Sequence, residues 1–284
     1  NKVLIQPPVY YPFYGAVENN HSQVITNALV LENGRYRMDF GDLESKCEDP
    51  EVKMAILCSP HNPVGRVWTR DELVEFGRIC IENNVLIVSD EIHGDLIYHD
   101  HVFTPLAKIS DAFAQNSVIC TAPSKTFNVA GLKTSCIIIP NQDLRKHFQK
   151  TLQSNGLFGV NTFGAVALQT AYDHGEGWLQ DVLEYVEGNL DYLEAYVDEN
   201  IPRLNVIRPE GTYLVWLDCR RLELGRTELQ QLMSEKARLY LDDGFIFGSE
   251  GEGFVRINIA CPRKVLVEAV DRIREAVQGL RRSN

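Results

Sequence analysis

Several absences narrow the field first. No apolar run in these 284 residues reaches the roughly 20 that a membrane-spanning helix needs. No basic run or stripe appears and the net charge is −11, so neither a membrane nor nucleic acid is an expected partner. The acidity argues mainly for solubility. A Walker loop and a G-x-G-x-x-G turn are both missing, which counts against nucleotide chemistry. The seven cysteines form no C-x-x-C pair. Several sit in apolar strand-like runs and read as small core residues of a reducing compartment, the cytoplasm, not as a disulfide frame or zinc site. No metal site is expected, since His99, Asp100 and His101 in one polar loop read as solvated. Internal repeats, low complexity and a signal peptide are not visible. The chain also lacks an initiator methionine, and Asn1 to Ile5 reads as the approach to a strand, so it is expected to open in mid-structure.

What is present suits a globular protein with a sizeable core. Hydrophobic residues make up 44% and charged residues 24%, and the length suggests two domains. Strand, helix and strand alternate: apolar Lys53 to Cys58, a helix from Thr69 with Glu72 three residues on as a capping box, then Val85 to Ser89. Ser117 to Thr121 and Thr134 to Ile139 continue the series, which indicates βαβ units and a mostly parallel sheet with helices on both faces. Residues 23–31 suggest another strand. Long helices are expected near 161–173 and 176–200. Beyond them, strand-like Asn205 to Ile207, Thr212 to Leu217 and Phe254 to Ile259 alternate with helices near 227–241 and 263–280. That change of layout predicts a large α/β domain over residues 1–180 and a small α+β domain over 181–284.

Three stretches carry the candidate chemistry. Ala122-Pro123-Ser124-Lys125-Thr126-Phe127-Asn128 follows a buried strand, so Lys125 stands just past a carboxyl end, where open α/β sheets gather their ligands. A lysine amine there becomes nucleophile and base if its surroundings lower its pKa. Ser59-Pro60-His61-Asn62-Pro63-Val64-Gly65 and Ser89-Asp90-Glu91-Ile92-His93 end two other strands. Asn62 offers an amide donor aimed by a Pro-Gly turn, or makes a plain Asx turn. Asp90 is either a buried carboxylate able to hold a cation or an exposed strand-end acid. Arg256, inside the apolar strand Phe254 to Ile259, is either a grip for a carboxylate or half of a structural ion pair.

In order and spacing these stretches resemble the fold-type I pyridoxal-phosphate (PLP) enzymes, the aspartate aminotransferase superfamily. The wording Ser-Pro-His-Asn-Pro-Val-Gly-Arg-Val-Trp, Ser-Asp-Glu-Ile-His and Ala-Pro-Ser-Lys-Thr-Phe-Asn is similar to the MalY/PatB branch of cystathionine, or cysteine-S-conjugate, β-lyases. The likeness runs from Val3 to the last helix.

That resemblance implies the PLP-dependent transferase fold, with an N-terminal portion of it preceding Asn1 in relatives. It implies Lys125 as the Schiff-base lysine, Asp90 facing the pyridine nitrogen and Asn62 on the phenolic oxygen. Arg256 is then on the substrate α-carboxylate, and Tyr10 or Tyr11 either borders the substrate or packs the core. Ser124 and Lys133 are the implied phosphate contacts. Three positions depart from the wider family: His93 where aminotransferases carry tyrosine, Ala122 where many relatives have serine, and Lys133 where they often have arginine. His93 is expected to touch the cofactor or to support the site from behind. The implied activity is cleavage of cystathionine or a related sulfur amino acid to a thiol, pyruvate and ammonia, by a homodimer. A class I/II aminotransferase and a non-catalytic regulatory relative are the alternatives.

Overall fold

The computed structural model describes residues 1–280. Its strands are β1 (Lys2–Ile5), β2 (Gln23–Thr26), β3 (Val30–Glu32), β4 (Arg35–Arg37), β5 (Val52–Cys58), β6 (Leu86–Asp90), β7 (Ser117–Thr121), β8 (Cys136–Ile138), β9 (Asn205–Ile207), β10 (Leu214–Asp218), β11 (Asp242–Asp243) and β12 (Phe254–Asn258). Its helices are α1 (Pro12–Glu18), α2 (Phe40–Cys47), α3 (Arg70–Glu82), α4 (Asp111–Gln115), α5 (Pro123–Thr126), α6 (Gln142–Ser154), α7 (Thr162–His174), α8 (Glu176–Asn200), α9 (Arg226–Gln231) and α10 (Arg263–Leu280).

Six strands form the larger sheet in the order β2-β1-β5-β6-β7-β8. Every pairing is parallel except β7 with β8, which is antiparallel. Strand alternation sends side chains to two cores. Leu4, Ala55, Leu57 and Ile87 pack with Leu43 of α2 and Leu73, Phe76 and Ile79 of α3. Val3, Ile5, Ile56 and Cys58 pack on the other face with Val17 of α1. The capping box forms as the sequence predicts: Thr69 Oγ1 accepts from Glu72 N at 3.2 Å, and Glu72 Oε2 accepts from Thr69 N at 2.8 Å.

The smaller sheet is antiparallel, in the order β11-β12-β10-β9. Val215, Leu217, Val255 and Ile257 face Leu190, Leu193 and Val197 of α8 and Leu266, Val270 and Ile273 of α10. Its other face turns Ile207, Trp216 and Phe254 into the core of the larger sheet, where the Trp216 and Phe254 rings stack at 5.1 Å. The two sheets are therefore held together by shared apolar packing. Residue 180, the expected boundary, falls inside α8.

Two expectations need revision. Residues 23–31 are not one strand. Buried Asn27 breaks the run, its amide accepting from Gln6 and donating to the Asp39 carbonyl and Asp42, so the chain leaves the sheet there. The β3–β4 hairpin that follows turns on Asn33 and Gly34, both at positive φ, a sequence signal for a hairpin that our reading did not use. The helix expected near 227–241 stops as α9 at Gln231 and continues only as a wider turn to Lys236, where Ala237 N reaches back to Leu232 O.

Candidate active site

Register places the site. Cys58 pairs with Asp90 and Asp90 with Cys120, so β5, β6 and β7 end level with one another. The turns that follow them carry Asn62, His93 and Lys125 to one edge of the sheet, the usual place for ligands of open parallel sheets. The first turn depends on Gly65, at φ +72°; a Cβ there would stand 2.2 Å from Pro209 Cβ. The smaller sheet supplies the opposite wall with Tyr213, Leu214, Arg256 and Asn258. Together these enclose a cavity of about 310 Å³, which Tyr10, Tyr11, Cys58, Asp90 and Ile92 also line. Its volume lies within the range of small-molecule sites, roughly 300–1,000 Å³.

Asp90 faces this space with one hydrogen bond, from Ile92 N at 3.2 Å, and no ion pair among the described residues. Burial pushes its carboxyl up to about 6, against the Ile92 N–H and the charge of Lys125. His93 is buried edge-on against Tyr213, with ring centroids 5.9 Å apart, and its Nδ1 has no partner among the described residues. Burial, then the charges of Lys125 and Arg256, holds it down to about 3, so the ring is neutral. Neighbouring Glu91 turns the other way and is structural, accepting from Ser89 Oγ at 2.9 Å and Leu106 N at 3.0 Å.

Arg256 is ion-paired and still open to a ligand. Its Nε and Nη2 donate to Asp242 Oδ2 at 3.1 and 2.6 Å, and Nη1 donates to Asn62 Oδ1 at 2.7 Å. A guanidinium has five N–H donors. One on each terminal nitrogen is left over, the number a carboxylate accepts in a forked pair. Asn62 uses its oxygen for Arg256, which leaves its amide nitrogen as a donor on the cavity wall.

Of the residues singled out from sequence, Tyr10, Asn62, Asp90, His93, Lys125 and Arg256 line the cavity. Ser124 and Lys133 do not. Ser124 is half-buried at the start of α5, and Lys133 is exposed, at φ +48°, beyond the turn. His61 is buried in packing, edge-on to Trp68 at 5.7 Å, with Nε2 against Gln6 O at 3.2 Å. Tyr213, Asn258 and Cys58 were not chosen as site residues, and Tyr11, the sequence's alternative to Tyr10, lines the cavity beside it. Tyr213 follows a Gly-Thr turn just before β10, and nothing local marks Asn258 or Cys58. A second, more apolar cavity of about 500 Å³ shares Lys125, Tyr213 and Asn258 and extends toward Trp178 and Tyr185.

Residues 1–273 match the aminotransferase class I and II family. The chain is 45% identical over 277 residues to the cystathionine beta-lyase PatB of Bacillus subtilis (strain 168), covering 98% of this chain and 72% of that one. It is 34% identical over 280 residues to protein MalY of Escherichia coli (strain K12), covering 98% and 71%. Among solved structures, cystalysin from Treponema denticola, which contains a pyridoxal 5'-phosphate cofactor, superimposes with a TM-score of 0.97 at 37% identity, over 99% of this chain and 71% of that one.

Proposed function

The chain belongs to the aminotransferase class I and II family, and from that premise we propose that it is a PLP-dependent carbon–sulfur β-lyase acting on cystathionine or a related cysteine S-conjugate. The observation that carries the reading is that Lys125 and Asp90 face one cavity without pairing to each other. An aldehyde-bearing pyridinium fits that gap. Its cationic ring nitrogen would meet the buried carboxylate of Asp90, and its aldehyde carbon the Lys125 amine. A hydrogen bond from the same ligand would satisfy the orphaned Nδ1 of His93.

In this proposal the Lys125 amine would hold the cofactor and would be free once substrate is bound. The freed amine is then the base beside the substrate Cα and takes its proton. When bound, PLP supplies an electron sink for the pair left at Cα. Asp90 would keep the ring nitrogen protonated by direct charge pairing, and the amide nitrogen of Asn62 would donate to the phenolic oxygen. The two remaining N–H groups of Arg256 fix the α-carboxylate, which aims the Cα–H bond at Lys125. Tyr10 is assigned to the substrate side, and Ser124, beside Lys125, to the phosphate. Lys133, exposed beyond the same turn, is assigned to the phosphate with Ser124. Overall the thioether and one water become a thiol, pyruvate and ammonia.

The same proposal includes a homodimer in the cytoplasm. The exposed Phe158 (82%) and Phe163 (78%), with Leu157, Val160 and Val166 nearby, support a buried partner face, and seven unpaired thiols suit a reducing compartment. No helix among the described residues is long and apolar enough to cross a membrane. The test is incubation with cystathionine and PLP, without a keto acid. Pyruvate and free thiol in equal amounts are expected. Turnover only when a keto acid is supplied would make the protein a transaminase.

A further inference from the structure

Asp95 lies on the turn that follows β6, five residues after Asp90, and the function above gives it no role. Its carboxylate accepts from Thr126 Oγ1 at 2.8 Å and from Tyr172 OH at 3.2 Å. Thr126 is the residue after Lys125 and is 1% exposed. We propose that Asp95 is a positioning residue, clamping the turn that carries Lys125 to the turn that leaves β6 at Asp90 and so setting the gap between the lysine amine and that carboxylate. The inference rests on the PLP-lyase reading.

The need for such a clamp follows from the backbone. The β6–β7 ladder ends at Asp90 and Cys120, and Glu91 N to Cys120 O, at 2.8 Å, is the last backbone bond between the two segments. Past it the chains diverge into separate turns. One is internally tied by Gly94 N to Glu91 O and Leu96 N to His93 O, both at 2.9 Å, and the other by Phe127 N to Pro123 O, also at 2.9 Å. Each turn is thus stiff by itself, and the Thr126–Asp95 bond joins them.

Tyr172 braces the same joint from α7. Its hydroxyl reaches Asp95 while its ring meets the Phe127 ring edge-on at 5.4 Å. Burial, then the Asp95 charge, pushes the Tyr172 phenol up to about 12, so it stays a donor. With a carboxylate as acceptor, both bonds are of the stronger, charge-assisted kind. Loss of the Thr126 bond would free α5 to turn about its short axis and swing Lys125, and a displacement near 1 Å at a reacting group costs on the order of a hundredfold in rate.

Thr126→Val is the decisive variant, because it keeps the buried volume and removes only the hydroxyl. In the PLP-loaded enzyme we expect kcat to fall about tenfold or more while KM moves less than about twofold. We also expect the stripped protein to capture added PLP on Lys125 about tenfold more slowly, read by borohydride fixation and peptide mapping. Thr126→Ser restores the hydroxyl and should recover both. Capture by Thr126→Val at the wild-type rate overturns the proposal, as does a Thr126→Ser variant as impaired as Thr126→Val. Should Thr126→Val fail to fold, Asp95→Asn is read in the same way. It weakens both bonds by removing the charge, so capture about fivefold slower is expected and an unchanged rate overturns the proposal. If the wild type is not labelled at Lys125, the lyase reading itself has failed. If it is labelled and Thr126→Val is labelled equally fast, only the clamp has.

Discussion

Arg256 Nη1 donates to Asn62 Oδ1 across 2.7 Å, joining positions 194 residues apart and the two sheets at the cavity. The bond holds the Asn62 amide so that its nitrogen, not its oxygen, is free on the cavity wall. It also leaves Arg256 with one spare N–H on each terminal nitrogen. Asn62→Ala therefore removes the proposed cofactor donor and loosens the guanidinium at once. Steady-state kinetics should show a loss of kcat/KM of about a hundredfold, with KM raised and kcat lowered. A change confined to KM would mean that Asn62 serves only the arginine.

Asp90 makes the cofactor-free protein sensitive to pH in an unusual direction. Its folded carboxyl sits at about 6, above the usual range near 4. Between those values the folded protein holds a proton that the unfolded chain releases, so this group's contribution to stability falls as pH rises through the window. Asp90→Asn removes that loss. Without PLP, the variant should unfold at a higher temperature than wild type at pH 8, by the equivalent of about 2–3 kcal/mol, and the two should converge near pH 4. Added PLP should reverse the order at pH 8, since the bound pyridinium stabilises only the carboxylate.

His61 works the opposite way. Burial holds its imidazole down to about 3, while the unfolded chain titrates near 6.5. As pH falls below that value the unfolded chain takes up a proton that the folded one refuses, so stability is lost progressively toward pH 3. His93 adds to the same limb. His61→Phe should cost about 1–3 kcal/mol at pH 7 through overpacking. In urea titrations the deficit should shrink or invert by pH 4.5.

The buried Arg66 ties three segments together. It donates to Glu210 Oε2 at 3.0 Å, to Glu72 Oε2 at 2.8 Å and to the Tyr36 carbonyl, and only 3% of its side chain is exposed. Burial raises the Glu210 pKa, but Arg35, Arg66 and the Val67 N–H more than offset it and hold the carboxyl below its ordinary value. Arg66→Met strands much of that charge. Equilibrium unfolding should show a loss of about 3–5 kcal/mol, partly restored by adding Glu210→Gln.

Much of the site was legible because it is built from strand ends. Asn62, Asp90 and Lys125 each follow an apolar run, and parallel strands in register must bring such residues to one edge. The Thr69–Glu72 cap was legible for the same local reason, as both partners lie within one turn. The β3–β4 hairpin could have been read from Asn33-Gly34 and was not.

The amino-acid order by itself determined the parallel sheet and the set of polar residues at its carboxyl edge, since each depends on periodicity or on neighbours a few positions apart, and the wording of three motifs carried the resemblance to the family. Tertiary structure alone decided that Arg256 shares its donors between Asp242 and Asn62, that Tyr213 and Asn258 close the opposite wall, and that Asp95 reaches Thr126. Those contacts join segments whose spacing along the chain carries no period. The Arg256–Asn62 bond and the Tyr213 and Asn258 wall exist because shared packing around Trp216 and Phe254 presses the smaller sheet against the larger one, whereas Asp95 meets Thr126 because β6 and β7 end side by side.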